Sequence, residues 1–373
     1  MRPSWVEVDL DAIAANVAAI RNEVAPALVC AVVKADGYGH GDVPTAEAAI
    51  AGGADWLAVA LVEEGRRLRE AGIDAPILLL SEPEVVDAAA VVEWDLRPTV
   101  YREGFADALA EAAAQRSVAP YPVHVKVNTG MHRVGAEPLE AFALARMIAA
   151  DDRLSFEGLW THLAVAEEDP VYTTGQLTAL DRFRTALEAE GIDVPIVHAA
   201  NTAGALDYPE GRFDLVRVGL GIYGLRPAPG SGPAVALQPA MRVVSQVTLV
   251  RRLPAGERPS YGRRRPLEAS STVATVPIGY ADGVARRLSS VGGEVLIGGR
   301  RHPYAGTVTM DQIVIDVGDQ PVSVGDEVVL LGEQGDEEIT ADEWAERLGT
   351  INYEIVCDFG PRLPRRYRKA PSA

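Results

Sequence analysis

Three features of the sequence predict an α/β fold, a (β/α)8 barrel of the TIM type followed by a mostly β C-terminal domain. Eight short, nearly continuous apolar runs occur in the first half of the chain, helix-like segments alternate with them, and the pattern turns strand-rich after a Pro/Gly-rich stretch. The first apolar element, Trp5-Val6-Glu7-Val8, reads as a strand. A helix follows, with Asp9 or Asp11 as its cap and Ile13, Val17, Ile20 and Val24 as its apolar stripe. The eight runs are Leu28–Val33, Trp56–Ala60, Ile77–Leu80, Leu96–Val100, Val123–Val127, Phe156–His162, Pro195–Ala199 and Leu215–Val218. Their lack of alternation is expected of parallel strands covered on both faces. Pro138 marks the start of one intervening helix, with Leu139, Phe142 and Ile148 as its apolar positions; Leu177, Leu180, Phe183 and Leu187 mark another, stopped by Gly191. A doubly wound open sheet is the alternative, disfavoured by the count of eight and by the helix preceding the first run.

The stretch Arg226–Pro233 predicts a domain boundary, giving a barrel over 11–233 and a β-rich domain over 234–373, with the N-terminal strand 1–10 packing on the latter. Expected strands there are Met241–Val250, Thr272–Pro277, Glu294–Ile297, Gln312–Val317 and Glu327–Leu331. Between them and the C-terminus lies a helix, Ala341–Leu348, capped by Thr340 with Glu343 three residues on. The basic end Arg365–Lys369 reads as a solvated tail.

Composition narrows the function. The 373 residues carry a net charge of −18, which argues against nucleic acid or an anionic membrane as partner. Two cysteines give no disulfide framework or structural zinc motif. An N-terminus bearing Glu7, Asp9 and Asp11 has no apolar leader, and no apolar run reaches membrane-spanning length, so a cytoplasmic protein is expected. Of the 35 basic residues only Lys34, Lys126 and Lys369 are lysines. In so arginine-biased a chain, a lysine at a strand end points to amine chemistry that a guanidinium cannot perform.

Barrel enzymes place their chemistry at the C-terminal strand ends. Those ends carry Lys34-Ala-Asp-Gly-Tyr38, Lys126-Val-Asn-Thr-Gly-Met-His-Arg133, Thr161-His162, His198-Ala-Ala-Asn201-Thr202 and Arg217-Val-Gly219-Leu220-Gly221. Desolvation at such a position lowers a lysine's pKa and makes it a Schiff-base candidate. Gly219-Leu-Gly-Ile-Tyr-Gly224 has the spacing of a dinucleotide fingerprint but is followed by the Pro/Gly stretch instead of a helix and an acidic residue, so that reading is rejected. Small residues after the seventh and eighth strands suit a phosphate, with Thr202 adding a hydroxyl. A Schiff-base lysine plus a phosphate cup suggests pyridoxal phosphate (PLP) or a sugar-phosphate aldolase. No histidine spacing supports a metal site.

The run Ala31-Val-Val-Lys34-Ala-Asp-Gly-Tyr38-Gly-His-Gly41 closely resembles the PLP attachment motif of alanine racemases. The resemblance continues in order through the blocks at Lys126–Arg133, Thr161-His162, His198–Thr202 and Arg217–Gly224. It extends on through Ser260-Tyr261-Gly262, Pro277–Gly283, Met310-Asp311-Gln312 and Ile351–Glu354. It implies racemisation of L-alanine and D-alanine through a PLP aldimine by two bases, Lys34 on one face and Tyr261 of the partner subunit on the other, in a homodimer with shared active sites. Arg217 would face the pyridine nitrogen, His162 would link Tyr261 to Arg217, and Tyr38, Thr202, Gly219, Leu220 and Tyr353 would hold the phosphate. Asn201 also belongs to the cofactor-binding set. Arg133 would contact the cofactor's phenolic oxygen and the substrate, Met310 would contact the substrate, and Lys126 would be carbamylated. The chain departs from the family pattern at Asp36-Gly37 (usually Asn-Ala), Asn128 (usually Asp), Glu167 (usually Asp) and Thr307, which stands where the access corridor often has Arg. A related barrel decarboxylase is disfavoured because Arg217 replaces an acidic partner for the ring nitrogen. A single-domain PLP carrier is disfavoured by the β domain bearing Tyr261.

Overall fold

The computed structural model describes residues 2–228 and 235–368. The chain divides into two units, Ala12–Gly37 with Asp42–Gln238, and Met1–Asp11 with Tyr38–Gly41 and Pro239–Ala373. The boundary expected at 233/234 lies outside the described residues, as does Lys369. Among the described residues, no helix is long and apolar enough to cross a membrane.

The chain opens with β1 (Ser4–Asp9), which belongs to the second unit. The first unit holds eight parallel strands: β2 (Leu28–Val32), β3 (Trp56–Val59), β4 (Ile77–Leu79), β5 (Thr99–Val100), β6 (Tyr121–Lys126), β7 (Leu154–Trp160), β8 (Ile196–His198) and β9 (Leu215–Val218). They pair in the orders β4-β3-β2-β9 and β5-β6-β7-β8. Backbone bonds join the two sheets at both seams: Leu79 N to Arg97 O and Arg97 N to Ile77 O, each 2.8 Å, then Asp214 N to Val197 O at 3.0 Å and Arg217 N to Ala200 O at 2.9 Å. Each strand therefore neighbours the next in sequence and β9 returns to β2, the order of an eight-stranded barrel. Burial accounts for the continuous apolar runs, since Val29, Cys30 and Ala31 on β2 and Leu57, Ala58 and Val59 on β3 are all inaccessible.

The helix Leu10–Val24 buries the expected stripe Ile13, Val17, Ile20 and Val24, and Pro170–Ala189 buries Leu177, Leu180, Phe183 and Leu187. In Pro138–Ala150 Ile148 is buried as expected, together with Ala141, Leu144 and Ala145, whereas Phe142 is only half-buried and Leu139 is exposed. Leu139 lies in the first turn, ahead of the stripe that faces inward.

The second unit contains β1 together with β10 (Met241–Gln246), β11 (Leu249–Leu253), β12 (Ser271–Val276), β13 (Glu294–Ile297), β14 (Arg300–Pro303), β15 (Ile313–Gly318), β16 (Glu327–Gln334), β17 (Glu337–Ile339) and β18 (Arg365–Arg368). One sheet runs β14-β13-β16-β10-β1-β18, with β17 added on β16; a second runs β11-β12-β15. The single strand expected over Met241–Val250 is two strands, because the chain leaves one sheet at Gln246 and joins the other at Leu249. The basic end is not a free tail: β18 pairs in parallel with β1, and Arg368 pairs with Glu7. Thr340 caps the helix Ala341–Leu348, its Oγ1 accepting from Glu343 N at 3.0 Å.

Candidate active site

Lys34 follows the apolar strand β2 and is half-buried. The backbone then turns left-handed at four successive residues, Ala35 (φ 53°), Asp36 (54°), Gly37 (58°) and Tyr38 (51°). Each L-residue held there costs about 1–2 kcal/mol, so the surrounding structure must enforce the turn. Glu64, almost fully buried, accepts from Ala35 N at 2.7 Å through Oε1, and from Ala60 N (2.8 Å) and Leu61 N (3.1 Å) through Oε2. It thereby ties the loop after β2 to the loop after β3. Gly37 N bonds Val33 O at 3.0 Å, and a Cβ on Gly37 would lie 3.0 Å from Thr45 Oγ1. Glu64 was not anticipated from sequence; nothing in its spacing separates it from a helix-surface acid.

Lys126 ends β6 and is only 3% exposed. Its Nζ lies 3.8 Å from the centre of the Trp160 ring, and the Arg217 guanidinium carbon lies 4.4 Å from the same ring centre. The indole is itself oriented by a bond from Nε1 to Thr99 Oγ1 of 3.1 Å. Burial first, and then the positive charges of Arg217, Arg133 and Lys34, push the Lys126 ammonium down to about 7. The loop beyond it is organised by Asn128, whose Oδ1 accepts from Gly130 N and His132 N at 3.1 Å each and whose Nδ2 donates to Glu137 Oε1 at 2.6 Å. Arg133, at the end of this loop, is exposed.

Arg217, on β9, is 3% exposed and has no carboxylate partner among the described residues. Its Nη1 donates to His198 Nδ1 at 2.8 Å. Its Nη2 donates to Thr161 O and Ala199 O, both at 2.9 Å, and reaches His162 Nδ1 at 3.1 Å. Its Nε–H has no partner among the described residues. Burial pushes the guanidinium down to about 9, still cationic at neutral pH. Burial and the nearby cations hold His162 and His198 well below the usual imidazole range, so both rings are neutral acceptors toward Arg217.

Beyond β8, Asn201 Oδ1 accepts from Gly204 N at 2.9 Å and caps the short helix Thr202–Asp207. Thr202 Oγ1 accepts from Gly221 N at 3.4 Å. Gly219 leads into the short turn Leu220–Tyr223, whose residues are fully buried. A Cβ on Gly221 would approach the side chains of Ile20, Thr202 and Val218 to 3.0–3.1 Å, so these side chains close on the bare backbone at this corner.

The remaining sequence-predicted residues belong to the second unit. The Tyr38 and Tyr353 rings lie 6.3 Å apart, and burial raises the Tyr38 hydroxyl above its ordinary range. Tyr261 is 73% exposed, set between Ser260 (φ 69°) and Gly262 (φ 74°). Thr307 Oγ1 donates to Tyr261 O at 2.9 Å and Ser260 Oγ donates to Thr307 O at 2.6 Å, a reciprocal clamp on the tyrosine's backbone. Met310 is half-exposed. Among the described residues, no three His, Cys, Asp or Glu side chains gather where they could hold a metal ion.

Comparison with known proteins agrees with this organisation. The alanine racemase N-terminal domain family matches residues 8–227, and the alanine racemase C-terminal domain family matches 240–367. The alanine racemase of Symbiobacterium thermophilum is 48% identical over 370 residues, covering 98% of this chain and 97% of its own. That of Desulfovibrio desulfuricans is 42% identical over 369 residues, covering 98% of each. The crystal structure of alanine racemase from E. faecalis superposes with a TM-score of 0.92 at 39% identity, covering 98% of both chains. A parallel barrel with a lysine on a strained turn, a β-rich second unit and full-length similarity on both place this chain in the alanine racemase family.

Proposed function

We propose that the protein interconverts L-alanine and D-alanine with PLP as cofactor, using Lys34 as base on one face and Tyr261 of the partner subunit on the other. The observation carrying this reading is Arg217: a buried guanidinium whose every protein acceptor is neutral, with its Nε–H unpartnered among the described residues. That Nε–H suits a pyridine nitrogen, which would accept from it and stay unprotonated, since a guanidinium does not give up its proton near neutrality. When bound, PLP supplies the electron sink that makes a Cα proton removable.

Lys34 Nζ would hold the cofactor and, once displaced by the substrate amine, take or return the Cα proton. Tyr261 Oη would do the same from the opposite side, which racemisation requires because each hand must be both deprotonated and reprotonated. Its exposure suits a residue serving a second subunit, so the active form is a homodimer with shared sites. His162 would connect that tyrosine to Arg217. Tyr38, Thr202, Gly219, Leu220 and Tyr353 would bind the phosphate, with Asn201 bracing the corner that holds Thr202. Arg133 would contact the phenolic oxygen and substrate, and Met310 the substrate. Lys126, held largely as the free amine above pH 7, is suited to add carbon dioxide; the new N–C bond gives a carbamate anion and releases one proton. That anion would lie beside Arg133 and Arg217.

Incubation with either enantiomer of alanine in deuterated water tests the reading. Racemisation with Cα deuterium uptake is expected, and Lys34→Ala should abolish both. Carbon dioxide release, or stereochemical stability of alanine in the presence of PLP, would contradict it.

A further inference from the structure

We infer that Glu157 is a positioning residue for Arg217, acting through a one-way hydrogen-bond chain of two neutral imidazoles, His198 and His124. The inference rests on the reading that Arg217 faces the cofactor ring. A guanidinium can only donate. His198 therefore accepts at Nδ1 (2.8 Å from Arg217 Nη1), which puts its single proton on Nε2. That Nε2–H must donate to His124 Nδ1 at 3.0 Å, so His124 in turn carries its proton on Nε2. There it meets Glu157 Oε2 at 3.0 Å, an acceptor only. Cation at one end and carboxylate at the other leave one tautomer for each ring. Both rings are fully buried, and burial lowers the pKa of each, which keeps them uncharged.

The local backbone is shaped around this chain. A Cβ on Gly158 would lie 2.2 Å from His124 Nδ1, so the imidazole fills the space left by the missing side chain. The β6–β7 ladder shifts register between Val123 and His124, where the ring is inserted. Trp56 meets the His124 ring edge-on at 5.4 Å, and Trp160 stacks on His198 at 5.4 Å and 9°. Glu157 is braced by Arg97 Nε at 3.3 Å and keeps 23% of its side chain exposed. Arg217 has no carboxylate of its own, so Glu157 supplies the anion through two rings. With Nη1 held by that chain and Nη2 by two carbonyls, the guanidinium plane is fixed and Nε–H remains available.

The test uses histidine- and arginine-selective nitrogen-15 NMR, first on cofactor-free protein and then on PLP-loaded protein with absorbance and steady-state kinetics. The cofactor-free wild type should show His124 and His198 as neutral Nε2–H tautomers; a cation or an Nδ1–H tautomer at either ring overturns the chain whether or not PLP binds. Glu157→Leu and Gly158→Ala should both shift the Arg217 side-chain resonances. In loaded protein both should displace the cofactor absorbance maximum and lower kcat about 10-fold with KM changed less than twofold, the scale of one charge-assisted hydrogen bond. Glu157→Gln, which keeps the acceptor and removes the charge, should fall between. Gly158→Ala deletes no polar group, so it separates positioning from loss of an ion. Unshifted Arg217 resonances, or lowered melting temperature alone with absorbance and kcat intact, would overturn the proposal. Failure of the protein to take PLP while these resonances shift would instead overturn the functional reading.

Discussion

Replacing Lys126 with methionine should stabilise the cofactor-free protein, and by an amount that depends steeply on pH. The amine is displaced from its usual 10.5 to about 7 by burial and by three neighbouring cations. Between these values the unfolded chain holds a proton that the native chain has released, so stability rises with pH across this window. Below pH 7 the native state carries the buried cation and bears the whole penalty; above 10.5 neither state is charged and the penalty is gone. At 1.36 kcal/mol per pH unit the full displacement is worth roughly 5 kcal/mol, an upper value because side chains and water adjust. Methionine keeps the length and apolar stem of lysine without the charge. Urea denaturation at one fixed protein concentration, from pH 6 to pH 10, should show K126M gaining most over wild type at pH 6, with the gap closing by about 1.4 kcal/mol per unit above pH 7. Bicarbonate should stabilise wild type and leave K126M unchanged if the carbamate forms. A gap that is flat in pH would refute the argument, because it would mean Lys126 titrates alike in both states.

Arg217→Met should destabilise the protein by about 1–3 kcal/mol in the same assay, since His198 Nδ1 and the carbonyls of Thr161 and Ala199 lose their donor inside the barrel while removal of the buried cation offsets part of that cost; a gain in stability would show that the relieved cation outweighs the lost bonds. Thr307→Val removes the hydroxyl bond to Tyr261 O while keeping the side chain's volume. A kcat about fivefold lower with an unchanged cofactor absorbance is expected, the worth of about 1 kcal/mol in tyrosine placement; an unaltered kcat would show that the tyrosine is held without it.

The barrel half of the fold was legible because parallel strands buried on both faces write themselves as apolar runs, and the helix stripe at Ile13, Val17, Ile20 and Val24 matched its buried face. The second half was less so. A continuous β pattern over Met241–Val250 cannot reveal a chain leaving one sheet for another, and neither Arg300–Pro303 nor Arg365–Arg368 has the apolar alternation that marks a strand. At the site, Lys34, Lys126 and Arg217 stood out by chemistry and by position at strand ends. Glu64, His124 and Glu157 did not, because their meaning lies in contacts across strands: Glu64 joins two loops, and His124 needs the empty space at Gly158.

Two bases on opposite faces of the substrate stand or fall with Tyr261→Phe in deuterated water, each alanine enantiomer being followed separately. One enantiomer should still exchange its Cα hydrogen with retention, served by Lys34, while interconversion falls by about 100-fold or more. Full-rate exchange and interconversion from both enantiomers would contradict the two-base reading.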